Sequence, residues 1–167
     1  MDNTTTVIPA TGRRRARRLV SVAAAAIALA AVLVPAQAAQ ASTGDEDHFA
    51  SRVNQERTAA GLPPLTQVAD LQAVARQHSQ TMANQNKLFH NPALATQVTS
   101  WSRLAENVGY GGGAETVHLA LMASPGHKAN ILSRGFVEIG IGVTLGAPVR
   151  GHAHAATYVT NFGTRVR

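Results

Sequence analysis

Residues 137–145 limit what this chain can fold into more than any other stretch. Val137, Ile139, Ile141, Val143 and Leu145 alternate with Glu138, Gly140, Gly142 and Thr144. This strict period of two puts the apolar set on one face of a β-strand. Two of the residues on the other face are glycines, which let a second layer approach the backbone closely. The strand therefore belongs to a sheet covered on both sides. Gly146 to Gly151 reads as a turn, and Ala153 to Phe162 can return antiparallel with Tyr158 and Phe162 pointing the same way. His152 and His154 lie two apart at the mouth of this hairpin; a metal pair is one reading, and solvated side chains are the favoured one.

The covering layers are helical. A first helix is predicted from about Asp47 to Ala60, with Phe49, Val53 and Ala60 on one face. Gly61 stops it, and Leu62-Pro63-Pro64-Leu65 is extended. Its polar residues Asn54, Glu56 and Arg57 read as solvated by default, with a buried hydrogen-bonding role second. The second helix, Val68 to Asn86, is the clearest: Leu71, Val74, Ala75, His78 and Met82 follow helical spacing. His78 reads as a satisfied core histidine. Pro92 ends any helical continuation and leaves His90 at the exit, beside Leu88 and Phe89.

Residues 93–113 read as irregular, with Trp101, the single tryptophan, as a packing anchor. Glu106 lies among Leu104, Ala105 and Val108, and a carboxylate in such company, if buried, must be paired, hydrogen-bonded or functional. Gly109 to Ala114 formally fits a dinucleotide-binding glycine motif, but no apolar strand is read before it and no βαβ unit around it, so the glycines are assigned to a tight loop. A third helix follows from about Ala114 to Ala123, with Val117, Ala120 and Leu121 inward. In Ser124-Pro125-Gly126-His127-Lys128-Ala129-Asn130-Ile131-Leu132, Ser124 suits an N-cap and Pro125 the first helical position. His127 then falls in the first turn, where the positive end of the helix dipole favours a neutral ring. A capped surface helix with an exposed histidine is the alternative.

The N-terminus is of another kind. Five arginines lie between Arg13 and Arg18, Leu19 to Val34 is almost wholly apolar, and Ala36-Gln37-Ala38 and Ala39-Gln40-Ala41 are small-x-small sites. This is the layout of a secretory signal peptide over residues 1–41, cleaved after Ala38 or Ala41. An apolar run of 16 residues is short for a membrane span, so an uncleaved anchor is the runner-up. The segment carries five of the 15 Lys and Arg and one of the nine acids, leaving ten basic and eight acidic residues, net +2, on residues 42–167. The ten basic residues are scattered, which argues against nucleic acid as a partner. With no cysteine, disulfides, thiolate zinc sites and thiol nucleophiles are excluded. Residues 42–167 are long enough to rest on one hydrophobic core.

In order along the chain, Val53-Asn54-Gln55-Glu56-Arg57, Gly61-Leu62-Pro63-Pro64-Leu65, His78-Ser79 through Met82-Ala83, His90, Ala105-Glu106-Asn107-Val108, the Ser124 to Leu132 stretch, Phe136 to Gly142 and Tyr158 to Gly163 resemble the CAP superfamily, or SCP domain family, in its bacterial secreted form. The resemblance covers about Phe49 to Gly163. It implies an α+β fold, an α-β-α sandwich with a small antiparallel sheet between helical layers. It also implies a cleft which in many members is lined by two histidines and two glutamates and can hold a divalent metal. By resemblance the cleft residues here are His90, Glu106, His127, Ser124 and Asn130, the last standing where many relatives have glutamine. The second glutamate has no counterpart: the chain has Leu121 and then Ser124, as bacterial relatives often have serine.

The resemblance thus leaves His90, His127 and Glu106 as metal ligands, with zinc the first choice of ion, and Glu106 and His127 as candidate catalytic groups. Two neutral imidazoles and a carboxylate suffice for zinc with a fourth position open, and a water bound there is acidified enough for hydrolysis. Without metal, Glu106 and a histidine make an acid–base pair. No His-Glu-x-x-His helix and no Gly-x-Ser-x-Gly elbow supports catalysis independently. The favoured expectation is a secreted binding or effector domain with a lipid, sterol or cell-envelope ligand and no stable membrane span after signal cleavage. The alternative is a divalent-metal-dependent, peptidase-like hydrolase using the same cleft. A purely structural hydrogen-bond network is the third reading.

Overall fold

The computed structural model describes the backbone of residues 37–152 and 155–165 and the side chains from Gly44 within them. The expected signal peptide, apart from the backbone of residues 37–41, and His154 lie outside the described residues. The elements are α1 (Gln37–Ala59), β1 (Thr66–Gln67), α2 (Ala69–Gln85), α3 (Leu94–Gln97), β2 (Trp101–Gly111), α4 (Ala114–Ala123), α5 (Pro125–Ile131), β3 (Glu138–Leu145) and β4 (Ala156–Arg165). The expected helices are all present, and α1 begins well before Asp47.

The four strands form one sheet in the order β1-β3-β4-β2. β3 pairs antiparallel with β4, and β4 with β2, but β1 runs parallel to β3. The sheet is therefore mixed rather than antiparallel. The cause is the extended connector after α1: Thr66 and Val68 donate their N–H groups to the carbonyls of Val137 and Ile139, so the chain lies along β3 before entering α2. Opposed residues of an antiparallel ladder share a face. The register puts Ala105, Phe162 and Ile139 together, then Gly109, Tyr158 and Val143, on the face where Phe49, Val117, Leu121 and Ile131 of α1, α4 and α5 complete the main core. The other face carries Val108 and Val159 against Ala75 and Met82 of α2.

On that second face the glycines of β3 take the part assigned to them by sequence. A Cβ on Gly140 would lie 2.2 Å from the backbone of Leu71 and Gln72, and one on Gly142 2.2 Å from that of Ala75 and Arg76. The α2 backbone thus rests directly on β3. On the main-core face Gly109 and Gly111 leave room for the side chain of Val117 on α4, which an added Cβ would approach within 3.1 and 2.8 Å.

Residues 93–113 are not irregular. They hold α3 and the eleven-residue β2, and β2 runs into the glycine motif, so that Gly109 and Gly111 are strand residues paired with β4 rather than parts of a tight loop. That strand pairs antiparallel, and no βαβ unit is formed. Trp101 is not a buried anchor: it is 37% exposed and donates its indole N–H to Ala95 O at 3.0 Å.

Several polar residues, Arg57 and Asn54 of the expected solvated set among them, are structural. Arg57 is 0% exposed, and its guanidinium donates to the carbonyls of Pro63 (3.0 Å), Ile131 (2.8 Å), Ser133 (2.8 Å) and Phe136 (3.3 Å). A cation at the end of α5 thereby satisfies carbonyls that the helix leaves open. Asn54 holds the connector by exchanging two hydrogen bonds with the backbone of Leu65. Glu46 is buried, accepting from Arg76 Nε at 2.9 Å and from the N–H of Val143 at 3.2 Å.

Candidate functional site

The site is built around Glu106 and Asn107, neighbours on the edge strand β2. Successive strand residues point to opposite faces, so this pair reaches two separate loops. Glu106 turns to the α2 side. There its Oε1 accepts from the backbone N–H of Asn91 and lies against His90 Nδ1, each at 2.9 Å. Asn107 turns to the α5 side. Its Nδ2 donates to the carbonyl of His127 at 3.1 Å, and its Oδ1 accepts from Asn130 Nδ2 at 2.8 Å.

The loop bearing His90 is held firmly. α2 ends at Asn86 in the left-handed conformation. Phe89 then packs on the cluster of Ala75, Met82, Val108 and Val159. A carbonyl can only accept, so the 2.7 Å contact between His78 and Phe89 O fixes the proton on His78 Nε2. His78 is thus the satisfied core histidine that its place on α2 implied. His90 itself projects outward, with its side chain 64% exposed, whereas the Glu106 side chain is 5% exposed. The carboxylate is buried, then, and is paired with an open imidazole.

Glu106 Oε2 is buried and has no hydrogen-bond partner among the described residues. An orphaned acceptor of this kind costs about 1–3 kcal/mol, more for a charged group. His127 is half-buried, and its pKa is lowered, first by burial and then by the charge of His90. Burial thus favours the neutral ring expected at this position. Ser124 both closes α4, donating its N–H to Leu121 O at 3.2 Å, and opens α5, accepting from Lys128 N at 2.9 Å. Its hydroxyl makes no capping hydrogen bond. Leu121, at one of the places considered for a second glutamate, is buried in the main core.

Among the described residues, no three His, Asp or Glu side chains stand close enough together to hold a metal ion in this arrangement. No described helix is long and apolar enough to cross a membrane.

Two polar residues escaped the sequence reading. Asn107 was noticed only as the neighbour of Glu106, and strand alternation would have assigned it to the opposite loop. His118 is 0% exposed, its Nε2 lies 3.6 Å from Glu56 Oε1, neither ring nitrogen has a hydrogen-bond partner among the described residues, and burial lowers its pKa. The spacing of Ala114, Val117, His118 and Leu121 puts it on the inner face of α4.

The fold has clear relatives among solved structures. An outer surface protein of Borrelia burgdorferi matches at a TM-score of 0.64 and 18% identity over 72% of this chain and 92% of its own. An extracellular protein containing an SCP domain from Bacillus anthracis matches at 0.65 and 23% identity, over 80% of this chain and 44% of its own. A cysteine-rich secretory protein from Staphylococcus aureus matches at 0.62 and 23% identity, over 73% and 38%. The chain thus spans less than half the length of the latter two. No curated protein matches it significantly. The model of the cysteine-rich secretory protein family, CAP, matches residues 50–162. Cysteine-free as it is, the chain belongs to the CAP family.

Proposed function

We propose that this CAP domain is an exported binding domain whose ligand seats at His90, Glu106 and His127. The observation that carries the reading is the orphaned, buried Oε2 of Glu106 next to an exposed imidazole. A bound molecule that donates a hydrogen bond to Oε2 relieves that cost, and nothing else described does so. With Glu106 accepting from His90, the proton of a neutral His90 sits on Nδ1 and the lone pair of Nε2 faces outward as an acceptor. His127, kept neutral by burial, offers a second acceptor. A lipid or sterol headgroup, or an envelope component with hydroxyl donors, matches this set.

The donors also fit zinc in kind, since neutral imidazole is its usual nitrogen ligand. His90 and His127 would hold the ion, and Glu106 would orient His90 from behind, as carboxylates do at many zinc sites. Bound there, zinc would supply Lewis acidity to a ligand or water.

Calorimetric titration of zinc into metal-stripped protein, and melting curves with phosphatidylglycerol or sterol-containing vesicles, test the reading. One zinc site lost in both His90→Ala and His127→Ala, or a melting shift with lipid lost in Glu106→Gln, supports it. Neither effect, with all variants folded by circular dichroism, refutes it. Chelator-sensitive peptide cleavage abolished by Glu106→Gln would turn the binding site into a hydrolase.

A further inference from the structure

Behind the His90 loop, on the outer side of α2, lies a hollow of about 260 Å³. Gln77, Thr81 and Gln85 line it from α2, Phe89 and Asn91 from the loop, and Gln97 from the end of α3. Its walls carry carboxamides, a hydroxyl, an aromatic ring, Pro92 and the imidazole of His78, but no carboxylate, ammonium or guanidinium. The His78 Nε2–H is committed to Phe89 O, so a charged ligand would find no free counter-ion there. A purely apolar ligand would strand the amides.

The amides are available. Among the described residues, the side chains of Gln77 and Gln85 make no hydrogen bond; they lie two turns apart on one face of α2. Thr81, between them, donates its hydroxyl to Gln77 O at 2.8 Å and keeps its lone pairs free. Gln97 accepts from Asn91 Nδ2 at 2.7 Å, which orients both carboxamides and leaves the Gln97 NH₂ free to donate. The aromatic wall is rigid, because both backbone groups of Phe89 are tied: its carbonyl to His78 and its N–H to the sulfur of Met82 at 3.4 Å.

We infer that this hollow is a neutral-saccharide subsite, taking a pyranose that carries an acetamido group. Sugar hydroxyls need partners that both donate and accept without charge, which carboxamides provide. Sugar C–H faces rest on an aromatic ring, and an acetamido group pairs with a carboxamide donor for acceptor. The volume is just under the roughly 300–1,000 Å³ typical of drug-sized ligands, which suits a monosaccharide or disaccharide rather than a lipid. An extended peptide, the other amide-bearing candidate, fits less well because it would need an open edge along which to run. The subsite adjoins the His90–Glu106 cleft through Asn91 but does not depend on the function proposed for that cleft.

The test is a titration of ¹⁵N-labelled protein with N-acetylglucosamine and its dimer, with glucose, and with N-acetylglycine methylamide as the peptide-like control. The inference expects the side-chain NH₂ signals of Gln77, Gln85 and Gln97 to shift with the acetamido sugars, and glucose to bind more weakly. Gln77→Leu with Gln85→Leu should weaken binding by about tenfold or more, equivalent to about 1.4 kcal/mol. Both positions are exposed on α2, so folding should persist. Phe89→Leu should weaken binding as well. No shift with any sugar at tens of millimolar overturns the inference, as do shifts that map elsewhere. Equal or stronger response to the peptide-like control reassigns the hollow to peptide and also overturns it. Shifts confined to Asn107, His127 and Asn130 would place the sugar in the main cleft and overturn the inference too.

Discussion

Arg57→Leu tests whether a buried cation fastens the helix that carries His127. Four carbonyls depend on the Arg57 guanidinium, and the hydrogen bonds to Ile131 and Phe136 are fully buried. Each of those two acceptors, left bare, costs about 1–3 kcal/mol. The carbonyls of Pro63 and Ser133 are only partly buried and can turn to water. Against this, leucine removes a guanidinium whose burial is itself unfavourable, as its lowered pKa shows. The net loss should be about 3–4 kcal/mol. For a domain of this size, that is a melting temperature lower by roughly 12 °C, or a urea midpoint lower by about 2 M at an m-value near 2 kcal/mol/M. Arg57→Lys, which keeps the charge but not the planar fork of donors, should lose about half as much. Because Ile131 and Ser133 lie at the far end of α5, the leucine variant should also let the His127 titration drift back toward about 6.5 in molecules that remain folded. Urea unfolding and histidine NMR measure both effects. A leucine variant within about 1 kcal/mol of the parent, with unchanged m-value, would show that Arg57 is not the fastener.

Two further perturbations follow from the packing and the titrations. Gly142→Ala puts a methyl group 2.2 Å from the α2 backbone at Ala75 and Arg76, where no side chain can swing aside; a loss of about 3 kcal/mol or more is expected, and a stable, normally melting variant would contradict the direct contact between α2 and β3. His118 and His127 both have folded pKa values below their unfolded ones, so the unfolded chain binds more protons and their contribution to stability is complete above about pH 6.5 and is lost as pH falls through the folded values. His118 is lowered by burial first and by Arg52 of α1 second, against the opposing pull of Glu56 and Glu115, and Phe49 packs edge-on to it at 5.6 Å. The urea midpoint should therefore drop as the pH falls below about 6.5, less steeply in His118→Leu; equal slopes in parent and variant would rule His118 out as a contributor.

The parts of the fold legible in the sequence are those whose partners impose a period. β3 alternates because one face meets the main core and the other meets the α2 backbone, so apolar residues and glycines take turns. Helix α2 shows its stripe because only one side touches the sheet. β2 hid because it is an edge strand: its first half is exposed or partly exposed and its residues answer to different neighbours, so no alternation builds up. Buried polar residues hid for another reason. Whether Arg57 is solvated or satisfied depends on carbonyls at Ile131 and Phe136, more than seventy residues on. Glu46 likewise depends on Val143, 97 residues away. No local pattern encodes such partners, and the default of solvation fails wherever the tertiary fold supplies them.

The candidate site was half legible, and the other half follows from strand geometry. The resemblance pointed to His90, Glu106 and His127, residues from a loop, a strand and a helix start with no common period. What joins them is the dipeptide Glu106-Asn107 on β2. In a central strand, its two side chains would be sealed within separate layers. On an edge strand, the loop from one layer and the helix from the other can approach each other around the open side. Glu106 holds the His90 loop through Asn91, and Asn107 holds the His127 turn directly and through Asn130. Two adjacent residues thus set the spacing between groups 37 positions apart in the chain, which makes the edge strand, rather than either loop, the element that gives the site its shape.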